Sequence, residues 1–445
     1  MHKGGWMMQR RISATVMCLA VLCGLVTMRA MAAEPVACQC KVVTDRPDAL
    51  YAVGEKVRFT ITLQKDGKAV TEGKASYVLD IDGAKKISQG NLDLAKQPVT
   101  VDGSLSEPGF LRCAVTYVGT NKQSARGTAG AGIDPLKIPA SMPVPDDFDA
   151  FWKAQKAKLA AVPMKPVLTP AKWADKEVQC FDVQIPCVGK PVSGYFARPV
   201  GAKPKSLPAV LHVHGAGVRS ASLGAAAGWA KRYGGMLSFD INAHGIPNGQ
   251  PAEFYEQLKN GALKGYPKFG NDNREECYFL GMFLRLVRAI DFLTAQPEWN
   301  GRVLCVEGGS QGGGQSIAAA GLDSRVTFFA PGVPAICDHT GWAIGRINGW
   351  PKLVPNDAQG KPDPKILQVS RYFDCMNFAT RTKAEAVFSV GFIDGTCAPT
   401  SVYATYNQVS GKKQIVNCPL MGHASSPEVV KAFGEAIAAH IARAK

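Results

Sequence analysis

The run Val306-Glu307-Gly308-Gly309-Ser310-Gln311-Gly312-Gly313-Gly314 sets a serine between glycines in a Gly-x-Ser-x-Gly pattern. Apolar residues 303–306 read as a strand running into it, and residues 315–320 as a helix leaving it. A sharp strand-to-helix turn lifts a serine hydroxyl above the sheet edge, and glycines on either side leave room for the crowded backbone. A serine hydroxyl is a weak nucleophile and needs a base that is itself oriented by an acid. Downstream of Ser310 stand three histidines: His339, His423 and His440. His440 falls in a terminal amphipathic helix and His339 in an irregular insertion. His423 follows strand residues 414–416 in a loop before the last helix, where a base is expected. Asp394, in Gly391-Phe392-Ile393-Asp394-Gly395 at the end of strand residues 386–390, supplies the acid in the order Ser, Asp, His. The oxyanion donors expected beside them are the backbone amides of Gln311 and Ala216. The second lies in His212-Val213-His214-Gly215-Ala216-Gly217, after strand residues 209–213. His214 is read as orienting that loop rather than transferring protons.

Positioning these groups requires two regions of different periodicity. Residues 33–138 alternate apolar and polar at period two. Val57, Phe59, Ile61 and Leu63 form one run, Tyr77, Leu79 and Ile81 another, and Leu111, Cys113, Val115 and Tyr117 a third. Turn chemistry separates them, which predicts a small immunoglobulin-like β-sandwich. After a Pro-rich linker at 138–145, Asp146 and Asp147 are read as capping a helix with Phe148, Phe151 and Trp152 on its apolar side. Strand candidates then alternate with helical stretches at 275–296 and 429–444. The reading for residues 139–445 is an α/β domain with a mainly parallel sheet flanked by helices.

Composition narrows the classes. With 445 residues, 46% hydrophobic and 20% charged, the chain is of ordinary globular make-up. Lys and Arg number 51 against 36 Asp and Glu, giving +15. Lys3, Arg10, Arg11 and Arg29 fall in the first 32 residues, which hold no acid, so removing them leaves +11. No basic run or nucleic-acid motif localises that excess. Arg10-Arg11, the apolar run from Ile12 and the small-residue site Ala30-Met31-Ala32 read as a secretory signal peptide over residues 1–32. The expected location is periplasmic or extracellular, by general secretion. Bulky Leu22 before Cys23 argues against a lipoprotein, and no segment approaches about 18 unbroken apolar residues, the length of a membrane anchor. Thirteen cysteines less Cys18 and Cys23 leave eleven, an odd set without metal-ligand spacing. A disulfide from Cys38 or Cys40 to Cys113 is compatible with this pattern.

From Met142 to the terminal helix the chain resembles the acetyl xylan esterase and cephalosporin C deacetylase family of carbohydrate esterases. The resemblance rests on Met142-Pro143, Asp147-Phe148-Asp149 with Phe151-Trp152, and Gly308 to Gly313. Tyr372-Phe373-Asp374 with Asn377-Phe378-Ala379 extends it, as does Ser389 to Asp394 with Cys397, Pro399, Tyr406 and Asn407. Two stretches depart: Asn242-Ala243-His244-Gly245 stands where the family has Arg-Gly-Gln-Gly, and His423-Ala424 where it has His-Glu. The resemblance implies an α/β-hydrolase fold, removal of acetyl groups from an acetylated oligo- or polysaccharide, no metal or organic cofactor, and a family habit of homo-oligomers. The competing readings are another exported serine hydrolase (a peptidase or general esterase) and a glycan-binding protein that keeps the turn without the chemistry. Trp342, Trp350, Tyr255 and Tyr266 stand as sugar-stacking or core candidates.

Overall fold

The computed structural model describes residues 38–444, so the signal peptide read at 1–32 lies outside the described residues. Residues 39–133 form the β-sandwich. Strands Gln39–Thr44, Val57–Lys65, Lys68–Ala69 and Val99–Gly103 make one sheet. Strands Leu50–Tyr51, Ser124–Ile133, Gly109–Val118, Lys74–Ile81 and Lys85–Leu92 make the other. Period-two alternation is the cause: Val57, Phe59, Ile61 and Leu63 are all buried and meet Leu79, Leu111, Cys113 and Val115 in one core.

The second sheet has nine strands. Val167–Pro170, Val178–Ile185 and Val192–Pro199 are antiparallel and lead to Leu237–Ile241. From there Leu207–Val213, Trp299–Gly309, Phe328–Gly332, Glu385–Gly391 and Lys413–Cys418 run parallel. The central strands are apolar on both faces because helices cover both. On one face Leu211, Leu304, Val306 and Phe329 pack with helices Tyr278–Thr294 and Gln311–Leu322. On the other, Val210, Cys305 and Phe328 pack with Trp229 of helix Leu223–Ala230 and with Phe433 and Ile437 of helix Pro427–Arg443. This is the α/β-hydrolase arrangement preceded by a β-sandwich.

Two local expectations are corrected. Asp147 occupies the N-cap position of helix Phe148–Ala160 without capping it. Its carboxylate instead accepts from the Tyr372 hydroxyl and from Arg274 at 2.6 Å. The helix read from residue 275 starts at Tyr278, because Asn273 closes a turn with Glu276 and Cys277 first. All eleven described cysteines, Cys38, Cys40 and Cys113 included, are free thiols.

The sandwich abuts the loops that follow the last parallel strands. Phe110 packs edge-on against Phe392 at 4.9 Å, and the Gly130 amide donates to Pro419 O at 3.3 Å. A Cβ on Gly130 would stand 2.6 Å from Phe392 O, so only glycine allows this approach. Beside it, Asp82 is buried and accepts the Thr400 hydroxyl at 2.6 Å. Burial pushes its carboxyl up to about 6, against the pull of that hydrogen bond and of the Arg112 charge.

Because the folded carboxyl holds its proton more tightly than the unfolded one (about 3.9), the associated stability is full below about pH 4 and is lost as pH rises through about 6. Asp82→Asn removes this titration. Urea unfolding at pH 4 and pH 7 is expected to show the variant gaining about 2–3 kcal/mol on the wild-type protein over that interval. A constant difference between the two proteins would contradict the assignment.

Candidate active site

Strand Trp299–Gly309 and helix Gln311–Leu322 meet at Ser310, whose backbone takes φ 56° and ψ −121°. That conformation is costly for a residue with a side chain, so the surroundings must impose it. Ser310 N donates to Gly332 O at 2.8 Å, and Ser310 O accepts from Ala335 N at 2.9 Å and Gly314 N at 3.1 Å. The glycines on either side have a shared steric cause. A Cβ on Gly308 would lie 2.2 Å from Val213 O, and one on Gly312 only 2.1 Å from the same oxygen.

The three residues selected by order along the chain come together. His423 Nε2 lies 2.9 Å from Ser310 Oγ, and His423 Nδ1 lies 2.7 Å from Asp394 Oδ2. The carboxylate can only accept, so Nδ1 carries the proton and Nε2 is left to accept the serine hydroxyl. Asp394 is fully buried, and its other oxygen accepts the amides of Thr396 at 2.8 Å and Cys397 at 2.9 Å. The strand end bearing Asp394 passes close to the histidine loop at Gly391, where a Cβ would meet Met421 O at 2.2 Å.

Of the two amides chosen as oxyanion donors, that of Gln311 follows the serine directly in the chain, and that of Ala216 lies in a separate loop. Gln311 is the first residue of its helix, where the amide has no partner one turn earlier. The loop carrying Ala216 stands against the nucleophile, since a Cβ on Gly215 would be 3.5 Å from Ser310 Cβ. His214 serves that loop, with Nδ1 2.7 Å from Gly215 O and Nε2 accepting the Ala243 amide at 3.4 Å. Burial lowers its pKa to about 4, so the ring is neutral near pH 7. His440 pairs with Glu385 and Thr327 at 3.0 Å each, a packing role. His339 is fully buried, and burial lowers it to about 3.

Asp394, Cys397 and His423 also bring three donor atoms within 4.8 Å of one another. Burial holds the Cys397 thiol well above its ordinary range.

Some site residues carry no sequence motif. Tyr266 is buried, and its hydroxyl donates to Gln311 Oε1 at 2.5 Å. His244, at one of the departures from the family pattern, contacts Gly217 O at 3.1 Å and the Tyr278 hydroxyl at 2.7 Å. A cavity of about 590 Å³ opens beside Ser310 and His423, with His212, Glu307 and Trp229 on its lining. The signal for His212 and Glu307 is a polar residue inside an otherwise apolar strand. Trp342 and Trp350 do not line it.

Comparison with known proteins gives a consistent family. The model for acetyl xylan esterase (AXE1) matches residues 137–437. Acetyl esterase Axe7A of Xylanibacter ruminicola is 27% identical over 391 residues, covering 87% of this chain and 87% of that protein. The solved acetyl xylan esterase from Paenibacillus sp. R4 is 27% identical with a TM-score of 0.59, over 68% of this chain and 98% of its own. Acetyl xylan esterase 1 from Thermoanaerobacterium sp. JW/SL YS485 shares the fold at 20% identity and TM-score 0.56, over 69% of this chain and 97% of its own.

The turn at Ser310 is open to a direct test. Gly312→Ala forces a Cβ onto the Val213 carbonyl. Thermal or urea unfolding is expected to show a loss of about 3 kcal/mol or more. Esterase activity per folded molecule is expected to fall by about 10²-fold, because the serine is displaced.

Proposed function

The chain belongs to the acetyl xylan esterase family and is a carbohydrate esterase; we propose that it is exported and that it removes O-acetyl groups from carbohydrates through a Ser310–His423–Asp394 acyl-enzyme mechanism. The observation that carries the reading is the unbroken hydrogen-bond series from Ser310 Oγ through the imidazole to the buried carboxylate. His423 takes the Ser310 proton as Oγ attacks the acetyl carbonyl. Asp394 keeps the ring in the Nδ1–H tautomer and stabilises its charged form. The amides of Gln311 and Ala216 receive the oxyanion. His423 then hands its proton to the departing sugar hydroxyl. Water, deprotonated by the same ring, attacks the acetyl-serine and releases acetate.

Export rests on the sequence of residues 1–32, and among the described residues no helix is long and apolar enough to cross a membrane. The acyl group removed is acetyl and the leaving group a sugar hydroxyl, in keeping with the acetyl esterases to which the chain is similar.

Ser310→Ala is expected to lower kcat/KM for acetate release from acetylated xylo-oligosaccharides by on the order of 10⁶-fold. Retention of turnover in that variant would remove Ser310 from the chemistry. Across p-nitrophenyl esters of increasing acyl length, the wild-type protein is expected to turn over acetate fastest, and a maximum at long chains would overturn the acetyl assignment. Expression in a secreting bacterial host is expected to yield a mature protein beginning at Ala33 by amino-terminal sequencing.

A further inference from the structure

Three ionisable side chains lie in register across neighbouring parallel strands, next to the nucleophile. His212 pairs with Asp240 on one side and Glu307 on the other in the strand ladder. All three interrupt apolar sequence, between Leu211 and Val213, Phe239 and Ile241, and after Val306. They point to the sheet face covered by helices Leu223–Ala230 and Pro427–Arg443, where the cavity of about 590 Å³ opens. Asp240 is sealed in and accepts the Ser222 amide at 2.8 Å and His212 Nδ1 at 2.5 Å. His212 Nε2 then faces Glu307 at 3.2 Å. With an anion fixed at Nδ1, a proton must lie between Nε2 and Glu307 for that pair to attract.

Unlike Asp240, which is 1% exposed at its side chain, His212 and Glu307 are each 23% exposed and line the cavity. The acyl-transfer steps at Ser310 make no use of them. Ionisable groups kept inside an apolar sheet are costly unless something engages them. The rest of the lining is amphipathic. Trp229, with the Arg232 guanidinium 4.2 Å above its ring, and Phe433 provide apolar surface on the lining, and Arg232 adds a cation to it. The volume lies in the usual range for small-molecule sites, about 300–1,000 Å³, and exceeds what an acetyl group fills.

We propose that Glu307, held in place by His212, determines substrate specificity by hydrogen-bonding hydroxyl groups of a sugar unit in this cavity, with Trp229 and Phe433 covering its apolar face. The proposal rests on the carbohydrate-deacetylase reading above. A carboxyl oxygen not engaged by the imidazole accepts a hydroxyl proton, so a hydroxylated unit is preferred over an acyl chain at this position.

The test compares acetylated xylo-oligosaccharides with p-nitrophenyl acetate, which has no sugar hydroxyl. For Glu307→Gln, the ratio of kcat/KM for the oligosaccharide to that for p-nitrophenyl acetate is expected to fall about tenfold, mainly through KM. Glu307→Leu, which returns the strand to apolar sequence, is expected to fold and to lower the ratio further. An unaltered ratio in both variants would overturn the proposal. So would a Glu307→Leu protein whose only gain is on long-chain acyl esters, which would assign the cavity to the acyl group. A wild-type protein that hydrolyses p-nitrophenyl acetate but no acetylated oligosaccharide would instead overturn the carbohydrate reading beneath it.

Discussion

The close approach of Gly308 and Gly312 to the Val213 carbonyl is the constraint on which the rest of the site depends. It ties the turn at Ser310 to the neighbouring parallel strand, and that strand continues into the loop bearing Ala216. One backbone contact therefore fixes the serine in a conformation it would not adopt unaided and sets the adjacent loop at the same edge. The hydrogen bonds from Ser310 N to Gly332 and from Ala335 to Ser310 O secure the turn from the other side. A strained residue of this kind persists only when its neighbours over-determine it, and here two adjacent strands do so.

The partners of Ser310 arrive on loops, which are intrinsically less fixed than strands. Their position is set by packing beneath them. Asp394 is held by two amides of its own turn, and its loop crosses the histidine loop where Gly391 allows contact with Met421 O. The β-sandwich adds a second support through Phe110 against Phe392 and Gly130 against Pro419. Phe110 and Ala49 join the core of the larger sheet rather than that of the sandwich. The amino-terminal strands thus bear on the same loops that carry the acid and the base.

Order along the chain and strand-end placement were enough to select Ser310, Asp394 and His423, because a sheet brings strand ends together irrespective of their separation in sequence. Periodicity was enough for the sandwich and the parallel sheet. What it could not reveal depends on packing across elements. Asp147 sits where a cap belongs, yet Tyr372 and Arg274 claim its carboxylate, and both lie far away in sequence. The pairing of His212 with Glu307 follows from the order of adjacent strands, which alternation alone does not encode. Tyr266 reaches Gln311 from an irregular segment whose path no local signal describes.

The buried rings that support the two proposed oxyanion amides share an electrostatic character. His244 is lowered to about 4 by burial and is therefore neutral, as is His214. With His244 donating from Nε2 to Gly217 O, its Nδ1 accepts the Tyr278 hydroxyl, and burial pushes that phenol up to about 12. Tyr266, likewise kept protonated by burial, packs edge-on against His244 at 4.7 Å while donating to Gln311. The segments bearing both amides are thus braced by neutral dipoles and by the Arg219 guanidinium, which donates to Gly215 O at 3.3 Å. A fixed anion there would repel the charge that develops on the substrate oxygen. Burial of these rings keeps them uncharged, so they add no charge that competes with the two backbone amides. It also gives a physical reason for the histidine at 244: a buried imidazole can accept and donate at once, so one uncharged ring links the tyrosine behind it to the loop in front.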